Sequence, residues 1–174
     1  MLSLKGEHIY LRGLEPEDLD FLYKLENDPE IWEISGTTSP YSKHVLKLYL
    51  DNVHKDIYEV KQLRLCICNL KGTVLGLIDL FDFDPKNLRV GMGIIVSSKG
   101  DRNKGIGAEA IDILSKYTFS VLGMRQIYAN VLEDNAPSIH LFSKLGFEKV
   151  GIKRDWIYSG GTFKNEILFQ KIYS

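Results

Sequence analysis

Between residues 89 and 132 the chain runs from an apolar strand, through a glycine-rich turn, into an amphipathic helix and out to a second strand. The first strand closes on Ile94-Ile95-Val96, and the turn carries Arg102-Asn103-Lys104-Gly105-Ile106-Gly107. The helix after it sets Ala110, Ile113, Leu114, Tyr117 and Val121 on one face and stops near Leu122-Gly123, where glycine is the usual terminator. Residues 126–132 read as the second strand. A strand, a crossover helix and a strand imply a parallel pair with a right-handed crossover. The turn also suits an anion. Its glycines let N–H groups approach a phosphate, two cations flank it, and the helix N-terminus leaves donors unpaired.

The rest of the chain alternates around this unit. Residues 8–13 read as a strand, and Leu14-Glu15-Pro16-Glu17-Asp18 opens a helix whose apolar stripe, Leu19, Leu22 and Tyr23, ends near Glu26. Asn27-Asp28-Pro29 breaks that helix, and residues 31–41 read as an irregular loop. Ser42 caps a second helix whose stripe is Leu46, Tyr49, Leu50, Val53 and Ile57. Residues 63–70, 73–82 and 89–96 form an antiparallel meander, with turns at Lys71-Gly72 and Asp84-Pro85-Lys86-Asn87. Residues 135–144 form a last helix, and two long strands flank Ser159-Gly160-Gly161, a hairpin signal. The expected class is α+β: one domain over residues 1–174, with a mixed, mostly antiparallel sheet holding one parallel pair.

The net charge of −1 gives no nucleic-acid footprint. No run approaches the ~18 apolar residues of a membrane helix, and residues 1–7 lack a signal-peptide pattern. Cys66 and Cys68 share one face of a strand. That spacing suits neither a disulfide nor a metal site, and it fits a reduced, cytoplasmic setting.

A second motif lies some thirty residues beyond the turn: Asn135-Ala136-Pro137-Ser138…Lys144-Leu145-Gly146-Phe147. Asparagine is a good N-cap, and serine three residues on can simply complete the first helical turn. The two motifs together resemble the acetyl-CoA-dependent N-acetyltransferases of the GNAT superfamily. Arg102-x-x-Gly105-x-Gly107 meets the family's pyrophosphate motif, and Asn135, Ser138, Lys144, Gly146 and Phe147 meet its later one. The chain is similar to the branch of spermidine acetyltransferases and ribosomal-protein N-terminal acetyltransferases. Ile9-Tyr10-Leu11-Arg12…Glu17-Asp18-Leu19 and Asp155-Trp156-Ile157-Tyr158…Gly161-Thr162-Phe163-Lys164-Asn165-Glu166 carry that similarity.

The resemblance implies helices on both faces of a sheet whose parallel strands splay apart. It implies acetyl-CoA as co-substrate, no metal, and a homo-oligomer by analogy. The acceptor would be a primary amine, either a polyamine-like molecule or a protein N-terminus. The pyrophosphate would sit on Arg102, Asn103, Lys104, Gly105, Ile106 and Gly107. The pantetheine arm would lie along Ile94, Ile95 and Val96 with Asn135 opposite, and Lys144 would reach the 3′-phosphate. The alternative is an acetyl-CoA-binding module without turnover.

Three departures touch the chemistry. The spermidine type carries a tyrosine acid where this chain has Phe142, which makes Ser138 the candidate donor to the leaving thiolate. Relatives carry a glutamate where this chain has Gly91, so Asp79 becomes the candidate base. Thr37-Thr38-Ser39-Pro40-Tyr41 lacks the paired glutamates that precede Pro-Tyr in the spermidine type. Glu33 and Asp82 are candidate acceptor-binding carboxylates. Asp79 and Asp82 lie three apart, so a regular strand would not place both on one face.

Overall fold

The computed structural model describes residues 3–97 and 105–174. Seven strands form one sheet: β1 (Ile9–Gly13), β2 (Leu63–Asn69), β3 (Val74–Asp84), β4 (Arg89–Val96), β5 (Gln126–Leu132), β6 (Glu148–Ser159) and β7 (Thr162–Ile172). Their order across the sheet is β1-β2-β3-β4-β5-β7-β6. Every neighbouring pair is antiparallel except β4 and β5.

That parallel pairing is short. It runs through Arg89↔Gln126, Val90↔Ile127 and Gly91↔Tyr128, and beyond Gly91 the two strands separate. β4 stays paired with β3 as far as Val96, and β5 stays paired with β7 as far as Leu132. The sheet therefore opens into a wedge between β4 and β5.

Helices cover both faces. On one side α5 (Ile106–Ser120) and α6 (Ala136–Lys144) pack over the core that includes Ile67, Ile78, Ile127 and Phe169. On the other, α1 (Leu19–Glu26), α2 (Pro29–Ser35) and α3 (Lys43–Asp51) pack over Cys66, Cys68 and Leu77. Both cysteines are buried free thiols, and burial pushes the Cys66 thiol up to about 12. No helix among the described residues is long and apolar enough to cross a membrane.

Two expectations change. Residues 31–41 do not form an irregular loop throughout, because α2 occupies Pro29–Ser35. Asp28 breaks one helix and caps the next: its carboxylate accepts the Glu30 N–H at 3.0 Å, and Pro29 suits the first helical position. Gly36 ends the helix in the left-handed region at φ 73°. The second long helix also divides. α3 stops at Asp51, where the Asn52 side-chain amide donates back to the Leu48 carbonyl, and Asp56 then caps α4 (Ile57–Val60). Ile57 is buried as expected, but it belongs to the second piece.

The entry to the first helix is held by a charge pair. Arg12 on β1 grips Asp18 through Nη1–Oδ2 at 2.8 Å and Nη2–Oδ1 at 2.9 Å, and Asp18 is only 5% exposed. Asp18 also accepts the Glu15 N–H.

Candidate active site

The wedge places two cavities against one another. The first, of about 460 Å³, lies between the end of β4, the N-terminus of α5 and one side of α6 along its length. Ile94, Ile95 and Val96 line one wall, Gly105 and Gly107 the helix mouth, and Asn135, Ser138 and Lys144 the opposite side. These are eight of the residues expected to hold the donor. Ile106 is not among the lining residues and instead packs partly buried against the core. Arg102, Asn103 and Lys104 lie outside the described residues.

Gly105 is the N-cap of α5 and adopts φ 79°, a conformation that favours glycine. Gly107 permits close packing, since a Cβ there would meet Leu141 Cδ2 at 3.1 Å. The helix mouth thus offers N–H donors and a bare backbone, the features an anionic pyrophosphate fits. Asn135 caps α6: its Oδ1 accepts the Ser138 N–H at 3.3 Å. The structural and binding readings of Asn135 are therefore compatible. The capping oxygen is engaged within the helix, while the residue also lines the cavity.

The second cavity, of about 380 Å³, lies on the other side of the wedge. Ile34, Ile94, Ile95, Asn135 and Ser138 line both cavities, so the two meet at the point where β4 leaves β5. Asp79 and Glu33 line the second cavity. Asp82 does not. It sits exposed at an irregularity in the β3–β4 ladder with φ 48°, outside both linings. Phe142, at the tyrosine position of the spermidine type, contributes to the second cavity but is only 3% exposed, edge-on to Phe147 with ring centroids 5.0 Å apart.

Each carboxylate of the second cavity has a cation from the chain. Arg64 on β2 donates to Asp79 from Nε at 2.8 Å and from Nη2 at 3.0 Å, and its Nη1 reaches Glu26 at 2.9 Å. Burial works against the Arg64 charge, but Asp79, Tyr49 and Glu26 outweigh it and hold the guanidinium protonated above the ordinary arginine range. Glu33 pairs with Lys164, and the hydrogen bond from that ammonium holds the carboxyl below its usual range. Lys164 also donates to Asp134 at 2.7 Å. Glu166 accepts from Lys153 at 2.9 Å, and the same ammonium reaches Asn130.

Arg64 and Phe81 line this cavity without having been singled out from the sequence, and Glu166, named there only for the similarity to the spermidine branch, lines it too. Arg64 carried a signal, being the one cation within the otherwise apolar run Leu63 to Cys68. Phe81 carried none. Its ring fills the space above Gly91, where a Cβ would collide with ring carbon Cε2.

Known proteins share this fold. Residues 8–148 match the Acetyltransferase (GNAT) domain family. Spermidine N(1)-acetyltransferase of Escherichia coli (strain K12) is 28% identical over 168 residues, which cover 95% of this chain and 88% of that one. A SPbeta prophage-derived N-acetyltransferase of Bacillus subtilis (strain 168) is 28% identical over 164 residues, 94% of this chain and 89% of that one. Among solved structures, spermidine N-acetyltransferase from Vibrio cholerae in complex with CoA and spermine superposes with a TM-score of 0.84 at 22% identity, covering 94% of this chain and 95% of that one. A wedge opened between parallel strands, a helix mouth at one side of it, and a family match across both place this chain in the GNAT family, as a spermidine acetyltransferase-like N-acetyltransferase.

Proposed function

We propose that the enzyme takes acetyl-CoA in the first cavity and passes the acetyl group directly to a primary amine in the second. The observation that carries this reading is the shared lining: Ile94, Ile95, Asn135 and Ser138 belong to both cavities. A donor thioester and an acceptor nitrogen can then meet without a covalent relay through the protein. In the balanced step the nitrogen forms its bond to the acetyl carbon, the carbon–sulfur bond breaks, and the ammonium proton must leave.

The residues divide the work. Gly105, Ile106 and Gly107, with Arg102, Asn103 and Lys104, hold the pyrophosphate. Ile94, Ile95 and Val96 run beside the pantetheine arm, Asn135 bonds it from across the wedge, and Lys144 takes the 3′-phosphate. A free alkylamine has a pKa near ~10.4, so the site must remove a proton before attack. Asp79 is the acceptor-side group for that task. Arg64 fixes its orientation, and a carboxylate that accepts two N–H bonds retains lone pairs for an ammonium or a bridging water. Ser138 donates to the departing thiolate, a role that Phe142 has no proton to fill. Glu33 helps hold the acceptor.

The acceptor at this level is a primary amine, small and polyamine-like or a protein N-terminus. Among the described residues the second cavity is lined by the carboxylates of Glu33, Asp79 and Glu166, groups that attract an ammonium. The test is release of free thiol from acetyl-CoA across a panel of amines. Thiol release that depends on an amine supports the reading. Tight coenzyme A binding with no thiol release on any acceptor sinks it and leaves a binding module.

A further inference from the structure

The lining of the second cavity narrows the acceptor, on the reading that the acceptor binds there. A polyamine carries several ammonium groups, and each needs an anionic partner once it leaves water. Glu33, Asp79 and Glu166 are the carboxylates that line the cavity among the described residues, and each is already bonded to Lys164, Arg64 or Lys153. A second ammonium would have to displace one of these internal cations.

The apex of the wedge is apolar instead. Phe81 lines the cavity and lays its ring on Gly91, the last residue of β4 that pairs with β5. The ring also meets Tyr128, the partner of Gly91 across that rung, edge-on at 5.8 Å between centroids. The backbone of Met92 and Gly93 continues the wall, while the Met92 side chain is buried in the core on the opposite face of the sheet. At 3.8 Å from a Cβ built on Gly93, the ring makes ordinary contact there and leaves no room for a charged side chain at Gly91. A cavity of about 380 Å³ is of small-molecule size.

We infer that the acceptor is a primary monoamine with an apolar chain or ring, its nitrogen at the junction of the two cavities and its hydrocarbon against Phe81. The ammonium then meets Asp79 near the junction, and the aromatic wall receives the hydrocarbon attached to it. Phe81 is the specificity-determining residue.

The test uses the whole chain, acetyl-CoA and a thiol-release readout, with hexylamine, 2-phenylethylamine, putrescine, spermidine and a short peptide with a free N-terminus. The expected result is a kcat/KM for the better monoamine at least about tenfold above that for spermidine or the peptide, the range a single apolar contact surface commands. Phe81→Ala should lose at least about tenfold on the monoamines while sparing spermidine. Phe81→Leu, which keeps bulk, guards against a folding defect and should retain most of the preference. Lys164→Met frees Glu33 and Asp134 and should raise turnover of spermidine. Amine-dependent thiol release that favours spermidine or the peptide overturns the acceptor class and leaves the transferase reading standing. An unchanged monoamine-to-spermidine ratio in both Phe81 variants overturns the role of Phe81. Absence of thiol release with every amine overturns the transferase reading and the acceptor class together.

Discussion

Arg64 holds Asp79 in a two-point grip, Nε to Oδ1 at 2.8 Å and Nη2 to Oδ2 at 3.0 Å, on the wall of the second cavity. The side chains are each about one-fifth exposed. The pair fixes the carboxylate, and in the proposed reaction its negative charge lies where the amine sheds its proton. Asp79→Asn keeps the shape and removes the charge. Its kcat/KM for the amine should fall about a hundredfold, the usual worth of a positioned base, while coenzyme A affinity stays as it was. Asp79→Ala should in addition lower stability by up to about 3 kcal/mol, because the guanidinium keeps only Glu26. Steady-state kinetics and a urea titration measure the two effects separately.

Ser138 stands where both cavities meet, and its backbone N–H is occupied by Asn135. In the proposed reaction the hydroxyl is the part that meets the thiolate. Ser138→Ala should lower kcat about a hundredfold, the scale of removing one donor to a developing anion, with a smaller change in the dissociation constant of coenzyme A. Wild-type kcat in this variant would remove Ser138 from the mechanism. The thiolate would then leave unaided, as a group of pKa ~8.5 is able to do.

Gly105 gives a cleaner separation of fold from binding. It is the N-cap of α5 at φ 79°, and a Cβ there meets nothing within 4 Å. Aspartate tolerates the left-handed region better than most residues and is itself a good N-cap. Gly105→Asp should therefore keep a melting temperature within a few degrees of wild type, while its charge repels the pyrophosphate. The expected result is loss of the thermal shift that coenzyme A produces. A normal shift would place the pyrophosphate elsewhere.

The Arg12–Asp18 pair predicts an acid limit to stability. The hydrogen bond from Arg12 holds the Asp18 carboxyl below its ordinary range, against the opposing effect of burial and with help from the Glu15 N–H. A carboxyl whose folded pKa is depressed contributes stability that is complete above its unfolded value, near ~3.9, and is lost as pH falls through the folded one. Urea midpoints should thus decline as pH drops below about 4. Asp18→Asn should be less stable at neutral pH by roughly 3 kcal/mol and should show a shallower decline in acid. An identical acid profile in that variant would assign the decline to other carboxylates.

Much of the framework could be read from residues because local signals agreed with one another. The bounds of β4 and β5, the caps at Ser42 and Asn135, and the parallel pair all come from periodicity, capping side chains and glycine stops. Asp28-Pro29 misled because the same dipeptide ends one helix and starts another. Ile57 keeps the α3 period across a break, so periodicity alone joined two helices. The acceptor side was less legible. That Phe81 lies on Gly91 depends on strand register, which pairs them across β3 and β4. That Asp82 leaves the face of the site depends on a local irregularity of the same ladder. Neither is encoded in the spacing of side chains along the chain.

The three rungs between β4 and β5 make the sheet two blocks joined by a narrow seam: β1 to β4 on one side, β5 with β7 and β6 on the other. Each block has its own antiparallel ladder. Anything seated in the wedge touches both, through Ile94 and Ile95 on one side and Asn135 and Ser138 on the other. A ligand there acts as a keystone, and its binding energy is shared between blocks that the backbone alone joins weakly. Protection of amides on occupancy should then spread through β2 and β7 alike, far from any atom the ligand touches.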